Sequence, residues 1–320
     1  MSSLNIPNDY PVDLVGPDIS AHAPGNTGIP YVWSFAAAEP GPHAVITAIV
    51  HGNEPCGAVT LDWLLQRRVR PVAGRLTLAF MNVEAYRRFD AADPNASRWV
   101  DEDLNRVWAA DVLASERDSA ELCRAREVQP VIASADFLLD IHSMQKPAPP
   151  VMLAGWLDKG IALARLVGVP ELIVVDRGHA AGFRMRDHGR FADHGTQAAA
   201  LLIECGQHWD RTAGDLARQA AARFLTGLGI AGRDLLEELG AGTPPPQLVY
   251  EVTEAVTITA KRFTFAEAFS GGEVIAEEGT LLGHYGDREV RTPYPDCLPV
   301  MPSKRLWRGQ TAVRLARRRD

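Results

Sequence analysis

Short apolar runs typical of buried strands alternate with helical patterns along most of the chain, and this alternation constrains the fold most. The predicted strands include 44–50, 75–83 and 136–141, and helical patterns cover 55–68 and 114–133, the latter with a break or kink at its proline. Strands that are apolar on both faces and alternate with helices are typical of a largely parallel sheet covered by helices. The sequence therefore predicts an α/β fold.

The chain changes character near residue 240. The stretch 240–246 contains glycines and three consecutive prolines, so it can be neither a helix nor a central strand. Alternating runs such as 247–259, separated by turn signals, follow it and predict a small β domain. A chain of 320 residues is long enough for about two domains. We expect a larger α/β domain over 1–239 and a β domain over 240–320.

Composition limits the classes of partner. The net charge is −7, and a basic block occurs only at 317–319, so binding to nucleic acid is not expected. The apolar runs are much shorter than the roughly 20 residues of a membrane span. Residues 1–10 lack the basic start and apolar core of a signal peptide. Four scattered cysteines without a CxxC pair suit a reducing compartment, and we expect a cytoplasmic protein that does not bind membranes.

The turn His51-Gly-Asn-Glu54 directly follows the apolar run 44–50. Side chains at the carboxyl end of a parallel strand face the crevice where α/β folds bind ligands. An imidazole and a carboxylate there can converge on zinc, whose catalytic sites typically have three protein ligands. The best third ligand is His142, which also follows an apolar strand, with Asp140 two residues earlier as a candidate to orient an imidazole.

The segment 98–106 is rich in charged residues. The planar fork of Arg98 suits a carboxylate or a polarised carbonyl group. Asn105 beside Arg106 can bind one carboxylate through two side chains. The alternative for this segment is a solvated helix start capped by an aspartate.

Glu204 ends another very apolar strand. A buried carboxylate is costly without a task or a partner. Beside a metal it can accept a proton from water and pass it to a leaving amine. The alternative is a structural glutamate in a salt bridge.

Together these four segments resemble the succinylglutamate desuccinylase and aspartoacylase family, a branch of the zinc carboxypeptidase superfamily. The His-Gly-Asn-Glu turn, the Arg-x-x-Asp-x-Asp-Leu-Asn-Arg run, the Asp-x-His strand end and the Glu-x-Gly strand end occur in the family's order over 44–206. The resemblance implies a zinc-carboxypeptidase-like mixed, largely parallel sheet flanked by helices. The β domain also fits, because family members carry one.

The resemblance also implies roles for individual residues. One Zn²⁺ per chain would be bound by His51, Glu54 and His142. Glu204 would act as the general base and acid, and Arg98 would polarise the scissile carbonyl and stabilise the oxyanion.

A substrate carboxylate would be held by Asn105 and Arg106, whereas Asp103 would order their loop. Members that cleave N-acetylaspartate have a further Arg about where this chain has His194, so His194 is a candidate substrate-binding residue. They also have a Tyr in the last β segment, and 300–308 contains none. Because these two groups read the second carboxylate, the sequence argues against strict aspartoacylase activity.

The segment 177–194 resembles an active-site loop, and a solvated surface loop is the alternative. Its candidate substrate contacts are Arg184, Arg186, Arg190 and His194. A second metal site, which we favour less, would use His179, His188, His194 and His208.

The sequence thus predicts a zinc-dependent amidohydrolase that removes the acyl group from an N-acyl amino acid or a related small amide, and it is compatible with a homo-oligomer. The alternatives are a zinc carboxypeptidase acting on peptides and a non-catalytic binding protein on the same fold.

Overall fold

A mixed sheet runs through the whole protein. In the computed structural model, which describes residues 9–178 and 181–319, ten strands form this sheet in the order β1-β3-β2-β4-β7-β5-β6-β8-β13-β12. The strands are β1 (Val32–Ala36), β2 (His43–Ala48), β3 (Arg75–Phe80), β4 (Phe137–Met144), β5 (Val151–Leu153), β6 (Leu172–Val175), β7 (Ala199–Gln207), β8 (Leu248–Thr257), β12 (Leu298–Val300) and β13 (Thr311–Arg319). Strands β3, β2, β4 and β7 are neighbours and parallel, which confirms the predicted α/β fold with a largely parallel sheet.

Helices cover both faces of this sheet. They are α1 (Pro55–Gln66), α2 (Val83–Arg87), α3 (Ala110–Leu113), α4 (Ala120–Ser134), α5 (Asp158–Val167), α6 (Arg211–Gly227) and α7 (Asp234–Glu238). Side chains alternate between faces along a strand. In β2, Ala44 and Ile46 therefore join the core under α1, α5 and α6, while Val45 joins the core under α4.

Helix α4 continues through Pro130 to Ser134, so the predicted break does not occur. A proline lacks its N–H and removes the hydrogen bond to the carbonyl four residues earlier. Pro130 leaves the carbonyl of Arg126 without this hydrogen bond, and the helix continues for four residues beyond the proline.

The C-terminal residues both extend the main sheet and form a smaller one. Strand β8 pairs in parallel with β6, and β13 and β12 follow it as antiparallel strands. The smaller antiparallel sheet, within the same described residues, contains β9 (Thr264–Phe265), β10 (Leu281–Tyr285) and β11 (Arg288–Arg291). The connection 241–247 before β8 has no helix or strand. No helix in the described part of the chain is both long and apolar enough to span a membrane.

The carboxyl ends of β2, β4 and β7 lie side by side. His51 follows β2, and the neighbouring strands β4 and β7 place His142 opposite Glu204. Because these strands are parallel, their ends meet at one edge of the sheet.

Candidate metal centre and catalytic cleft

His51, Glu54 and His142 form a buried cluster at this edge. One ligand atom from each residue lies within 4.8 Å of the others, and among the described residues this is the one group of three or more such side chains close enough to hold a metal ion. The exposed fractions are 4% for His51, 2% for both others. The structure therefore brings together the three ligands that the sequence predicts.

The carboxylate of Glu54 lies between the two imidazoles. Its Oε1 is 2.8 Å from Nδ1 of His51, and its Oε2 is 2.9 Å from Nδ1 of His142. The backbone N–H of Ser143 also donates to Oε2. Burial raises the pKa of Glu54, but the charges of His51 and His142 outweigh burial and hold the pKa well below its usual range. The carboxylate is thus kept ionised, the form that binds metals.

A second carboxylate contacts the far nitrogen of each imidazole. Nε2 of His142 lies 2.8 Å from Asp140, whose other oxygen accepts a hydrogen bond from Thr47. Nε2 of His51 lies 2.9 Å from Asp103. A carboxylate at this position fixes the tautomer and orientation of a metal-binding imidazole. Both Nδ1 atoms consequently face Glu54, and two imidazoles with one carboxylate fit the ligand preferences of Zn²⁺.

The contact between Asp140 and His142 agrees with the sequence analysis, whereas the contact between Asp103 and His51 is a new finding. Asp103 also accepts a hydrogen bond from the backbone N–H of Asn105, so it orders its loop as expected. Its position in a charged segment gave no sign of which imidazole it would reach. Only the fold brings residue 103 next to residue 51.

Glu204 lies in β7 and lines the same cleft. It is 8% exposed, its Oε2 has no hydrogen-bond partner, and no cation among the described residues forms an ion pair with it. A structural salt bridge therefore does not account for this carboxylate. Burial and then the charge of Glu54 raise its pKa to about 8.

Arg98 and Asn105 also contact side chains of the metal cluster. Nη1 of Arg98 donates to Oε1 of Glu54 at 3.0 Å, and its Nη2 is 2.9 Å from Nε2 of His51. Nδ2 of Asn105 is 3.4 Å from Nε2 of His142, while Oδ1 of Asn105 accepts from the backbone N–H of Met185. Both side chains line the cleft.

Arg106 lines the cleft beside them, with Nη2 at 3.9 Å from Asp103. Arg305, from the C-terminal region, adds another positive charge to the lining of the cleft. Its guanidinium lies over the ring of Trp99, with 4.8 Å to the ring centroid, and burial followed by the charge of Arg98 lowers its pKa to about 9.

The structure does not bring His194 to the cleft. His194 is exposed and packs against Trp156, with ring centroids 4.6 Å apart. From the same region of the chain, Arg184 lines the cleft. Arg186 is buried beside Asp187, and Arg190 is paired with Asp136 on the surface.

The histidines considered for a second metal site are separated by the fold. His188 lies 2.9 Å from the backbone carbonyl of Trp108, while His208 lies in the cleft with its Nδ1 at 2.8 Å from Oγ of Ser143. His179 lies outside the described residues.

Both the sequence and the fold of this chain are similar to those of known proteins. Residues 40–228, more than half of the chain, match the model of the succinylglutamate desuccinylase/aspartoacylase catalytic domain. No curated protein sequence matches significantly.

The fold is similar to those of several solved structures. Succinylglutamate desuccinylase from Vibrio cholerae aligns with a TM-score of 0.65 and 17% identity over 91% of this chain and 86% of that chain. An ectoine utilization protein from Ruegeria pomeroyi aligns with a TM-score of 0.61 and 18% identity over 97% of both chains. Murine aminoacylase 3 gives a TM-score of 0.58 and 18% identity over 88% of this chain and 97% of that chain. With the match of the family model, the chain belongs to the succinylglutamate desuccinylase/aspartoacylase family.

Proposed function

We propose that this protein is a zinc-dependent amide hydrolase that removes the acyl group from an N-acyl amino acid or a related small amide. The observation that carries the proposal is the arrangement of Glu54 between the Nδ1 atoms of His51 and His142, with Glu204 in the same cleft. Membership of a family of deacylases supports the class of reaction.

The three buried side chains of this cluster would hold the metal ion. When bound, Zn²⁺ supplies Lewis acidity, which lowers the pKa of water and polarises a carbonyl group. Asp103 and Asp140 keep both imidazoles in the orientation in which Nδ1 faces the cluster. The metal-binding atoms of the three side chains are thereby held in a fixed arrangement.

Glu204 is the proton-transferring group. Its Oε2 has no hydrogen-bond partner among the described residues, and the positive charge of a bound Zn²⁺ would favour the ionised form of Glu204, which can accept a proton from the attacking water. The proton then passes from Glu204 to the leaving nitrogen as the carbon–nitrogen bond breaks. One water and one amide give one carboxylate and one ammonium group, because both protons of the water end on the leaving nitrogen.

Arg98 and Arg106 have different roles, the first in stabilising the oxyanion and the second in binding the substrate. Arg98 donates to Glu54 and hence lies beside the reacting carbonyl, where its charge stabilises the oxyanion. Arg106, together with Asn105, holds the substrate carboxylate. The hydrogen bond from the N–H of Met185 fixes the orientation of the Asn105 amide for this purpose.

The walls of the cleft favour a small substrate over a peptide. C-terminal residues line one side of the cleft next to the metal ligands; they include Met301, Pro302, Ser303, Lys304, Arg305 and Gln310. This wall limits the length of chain that can lie across the site.

Two measurements test the proposal. Purified protein should contain about one zinc per chain by elemental analysis, and His51→Ala should lose it. A panel of N-acyl amino acids and peptides with free carboxyl termini should show turnover of the N-acyl amino acids. Two outcomes would contradict the proposal. One is absence of zinc from the protein, and the other is release of C-terminal residues from peptides without turnover of any N-acyl amino acid.

A further inference from the structure

Glu121 is a buried carboxylate that binds three successive backbone N–H groups. It lies in the first turn of α4 and is 0% exposed. Its Oε1 accepts from the N–H of Val100 at 2.6 Å, and its Oε2 accepts from the N–H groups of Asp101 and Glu102 at 3.0 Å and 3.1 Å. No lysine, arginine or histidine in the described part of the chain forms an ion pair with it. Hydrogen bonds from neutral groups therefore compensate the burial of this carboxylate.

The loop that contains these N–H groups also binds the start of α4. Oδ2 of Asp101 accepts from the N–H of Ala120 at 2.8 Å, and Oε1 of Glu102 accepts from Oγ of Ser119 at 2.6 Å. The same Oγ accepts from the N–H of Leu122 and caps the helix. Because the first N–H groups of a helix have no partner within it, the loop and the helix satisfy each other's free groups. Neither can shift without breaking hydrogen bonds of the other.

The three bound N–H groups lie in the middle of the loop that carries polar side chains of the cleft. Arg98 precedes them by two residues, and Asp103, the carboxylate behind one metal-binding imidazole, directly follows them. Asn105 and Arg106 lie in the short 3₁₀ turn that comes next. A shift of the backbone at 100–102 would therefore move all four side chains.

Glu121 also contacts the segment that supports the metal-binding turn. Nδ2 of Asn82 donates to its Oε1 at 2.9 Å, while Oδ1 of Asn82 accepts from the N–H of Ala85 and caps α2. The backbone of Ala85 in turn lies close against Gly52, where a Cβ atom would be 2.4 Å from its carbonyl carbon. One carboxylate is thus hydrogen-bonded both to the loop and to the support of the turn 51–54.

The surroundings of Glu121 require a carboxylate. All four groups bound to it are donors. An ionised carboxylate only accepts hydrogen bonds, so it satisfies all four. A glutamine amide of the same shape would turn its NH₂ group towards these donors and leave buried N–H groups without an acceptor, which is costly. The residue type at this position therefore controls the conformation of the loop.

We propose that Glu121 is a positioning residue that fixes the loop of Arg98, Asp103 and Asn105 against the metal cluster. The inference rests on the proposed function and extends it to a residue that does not line the cleft. Glu121 touches no substrate. It acts through the backbone of the loop, which sets where the oxyanion-stabilising and substrate-binding side chains lie.

The first experiment measures the kinetics of Glu121→Gln with the N-acetyl amino acid that shows the fastest turnover in the panel. The value of kcat/KM should fall by about 10- to 100-fold, since small displacements of catalytic groups are costly. KM should rise as part of this loss, because Asn105 and Arg106 move with the loop. A variant that is only less stable contains less folded enzyme, which lowers the apparent kcat and leaves KM unchanged.

Three further variants separate positioning from charge and stability. Glu127→Gln removes an exposed carboxylate from the same helix and should keep both constants. Ile132→Ala removes buried apolar atoms from α4 about three turns beyond Glu121, so it should lower the melting temperature and leave KM unchanged. Glu121→Asp keeps the charge on a shorter side chain and should restore part of the loss.

Hydrogen exchange followed by mass spectrometry tests the positioning without a substrate. In the zinc-loaded protein, peptides that cover 100–102 should exchange slowly, because their N–H groups are bonded to a buried carboxylate. In Glu121→Gln they should exchange at least about tenfold faster, while peptides from β4 should exchange as before.

The two measurements distinguish failure of the inference from failure of the proposed function. An unchanged KM with unchanged exchange in Glu121→Gln, or an equal rise of KM in Ile132→Ala, would overturn the inference alone. If no amide is hydrolysed but exchange at 100–102 accelerates, the proposed function fails and the positioning of the loop stands. If Glu121→Gln does not fold, Glu121→Asp takes its place, and a raised KM with faster exchange is expected there.

Discussion

Oδ1 of Asp103 lies 2.9 Å from Nε2 of His51, the ring nitrogen on the side away from Glu54. Because this contact directs Nδ1 towards the metal cluster, Asp103→Asn should weaken zinc binding by about 10- to 100-fold. The affinity is measured by competition with a chromophoric chelator. Asparagine keeps an oxygen that can accept from the N–H of Asn105, so the loop itself should persist.

The control for this prediction is Asp111→Asn, which removes an exposed carboxylate from α3. It should leave the zinc affinity unchanged. Equal affinities in Asp103→Asn and the unaltered protein would show that this carboxylate does not support the metal ligand.

Replacing Glu204 should separate metal binding from catalysis. No hydrogen bond or ion pair joins Glu204 to either imidazole within the described residues, so Glu204→Gln should keep its full zinc content. General acid–base groups typically contribute 10²- to 10⁴-fold, and kcat should fall by about this factor. The measurement is turnover per bound zinc. A variant that loses its metal, or retains its rate, would exclude the proposed role.

The strand-end positions explain why the metal cluster could be predicted from the sequence. Each of His51, His142 and Glu204 lies at or just beyond the carboxyl end of an apolar run, and parallel neighbouring strands bring such ends to one edge. The strands and their parallel arrangement were therefore enough to bring these positions together, whereas their roles as metal ligands and general base were implied by the family resemblance. The prediction did not require knowledge of side-chain contacts.

The positions of the arginines that line the cleft could not be predicted in this way. Arg184 follows an irregular stretch, so counting back from Glu204 led to His194, which the fold places elsewhere. Arg314 reaches the cleft because β8 pairs with β6 and β13 pairs with β8. Such long-range pairings leave no periodic signal near the residue they position.

Zinc should stabilise the folded protein. The three metal ligands come together only in the folded chain. Zinc binding should therefore add about 2.7 kcal/mol to the free energy of unfolding when free zinc is at 100 times its dissociation constant. The melting temperature of chelator-treated protein should therefore rise by several degrees when zinc is added. Magnesium at the same concentration should have little effect, and His142→Ala should show no zinc-dependent rise. An equal rise in that variant would place the stabilising metal elsewhere.

His208 should make the metal-free protein less stable in mild acid. Burial lowers the pKa of His208 to about 3, well below the ordinary histidine value of 6.5. Between these values the unfolded chain binds a proton that the folded chain does not, so stability falls as the pH falls, by about 1.4 kcal/mol per pH unit. Above pH 6.5 this contribution is complete, and it is lost progressively towards pH 3.

Urea unfolding of chelator-treated protein at pH 5 and pH 7 measures this effect. His208→Gln should reduce the loss of stability between the two pH values by about 2 kcal/mol. The exposed His284 provides the control, and His284→Gln should leave the pH dependence unchanged. Identical pH dependence in His208→Gln and the unaltered protein would show that His208 is protonated without penalty in the folded state.

Gly52 is required by close packing in the turn that carries two metal ligands. A Cβ atom at this position would lie 2.4 Å from the backbone of Ala85, of Tyr86 and of Ser97, and these atoms cannot move as a flexible side chain would. The N–H of Gly52 also donates to the carbonyl of Arg98, which links the turn to the proposed oxyanion-binding residue. Gly52→Ala should therefore displace the turn, reduce the zinc content and lower turnover by at least about tenfold, since small displacements of catalytic groups are costly.

The control is Gly242→Ala. A Cβ at Gly242 would meet no atom of the described residues within 4 Å, so this variant should retain zinc and activity. Full zinc occupancy in Gly52→Ala would show that the turn tolerates the methyl group and that the packing around it is not what positions His51 and Glu54.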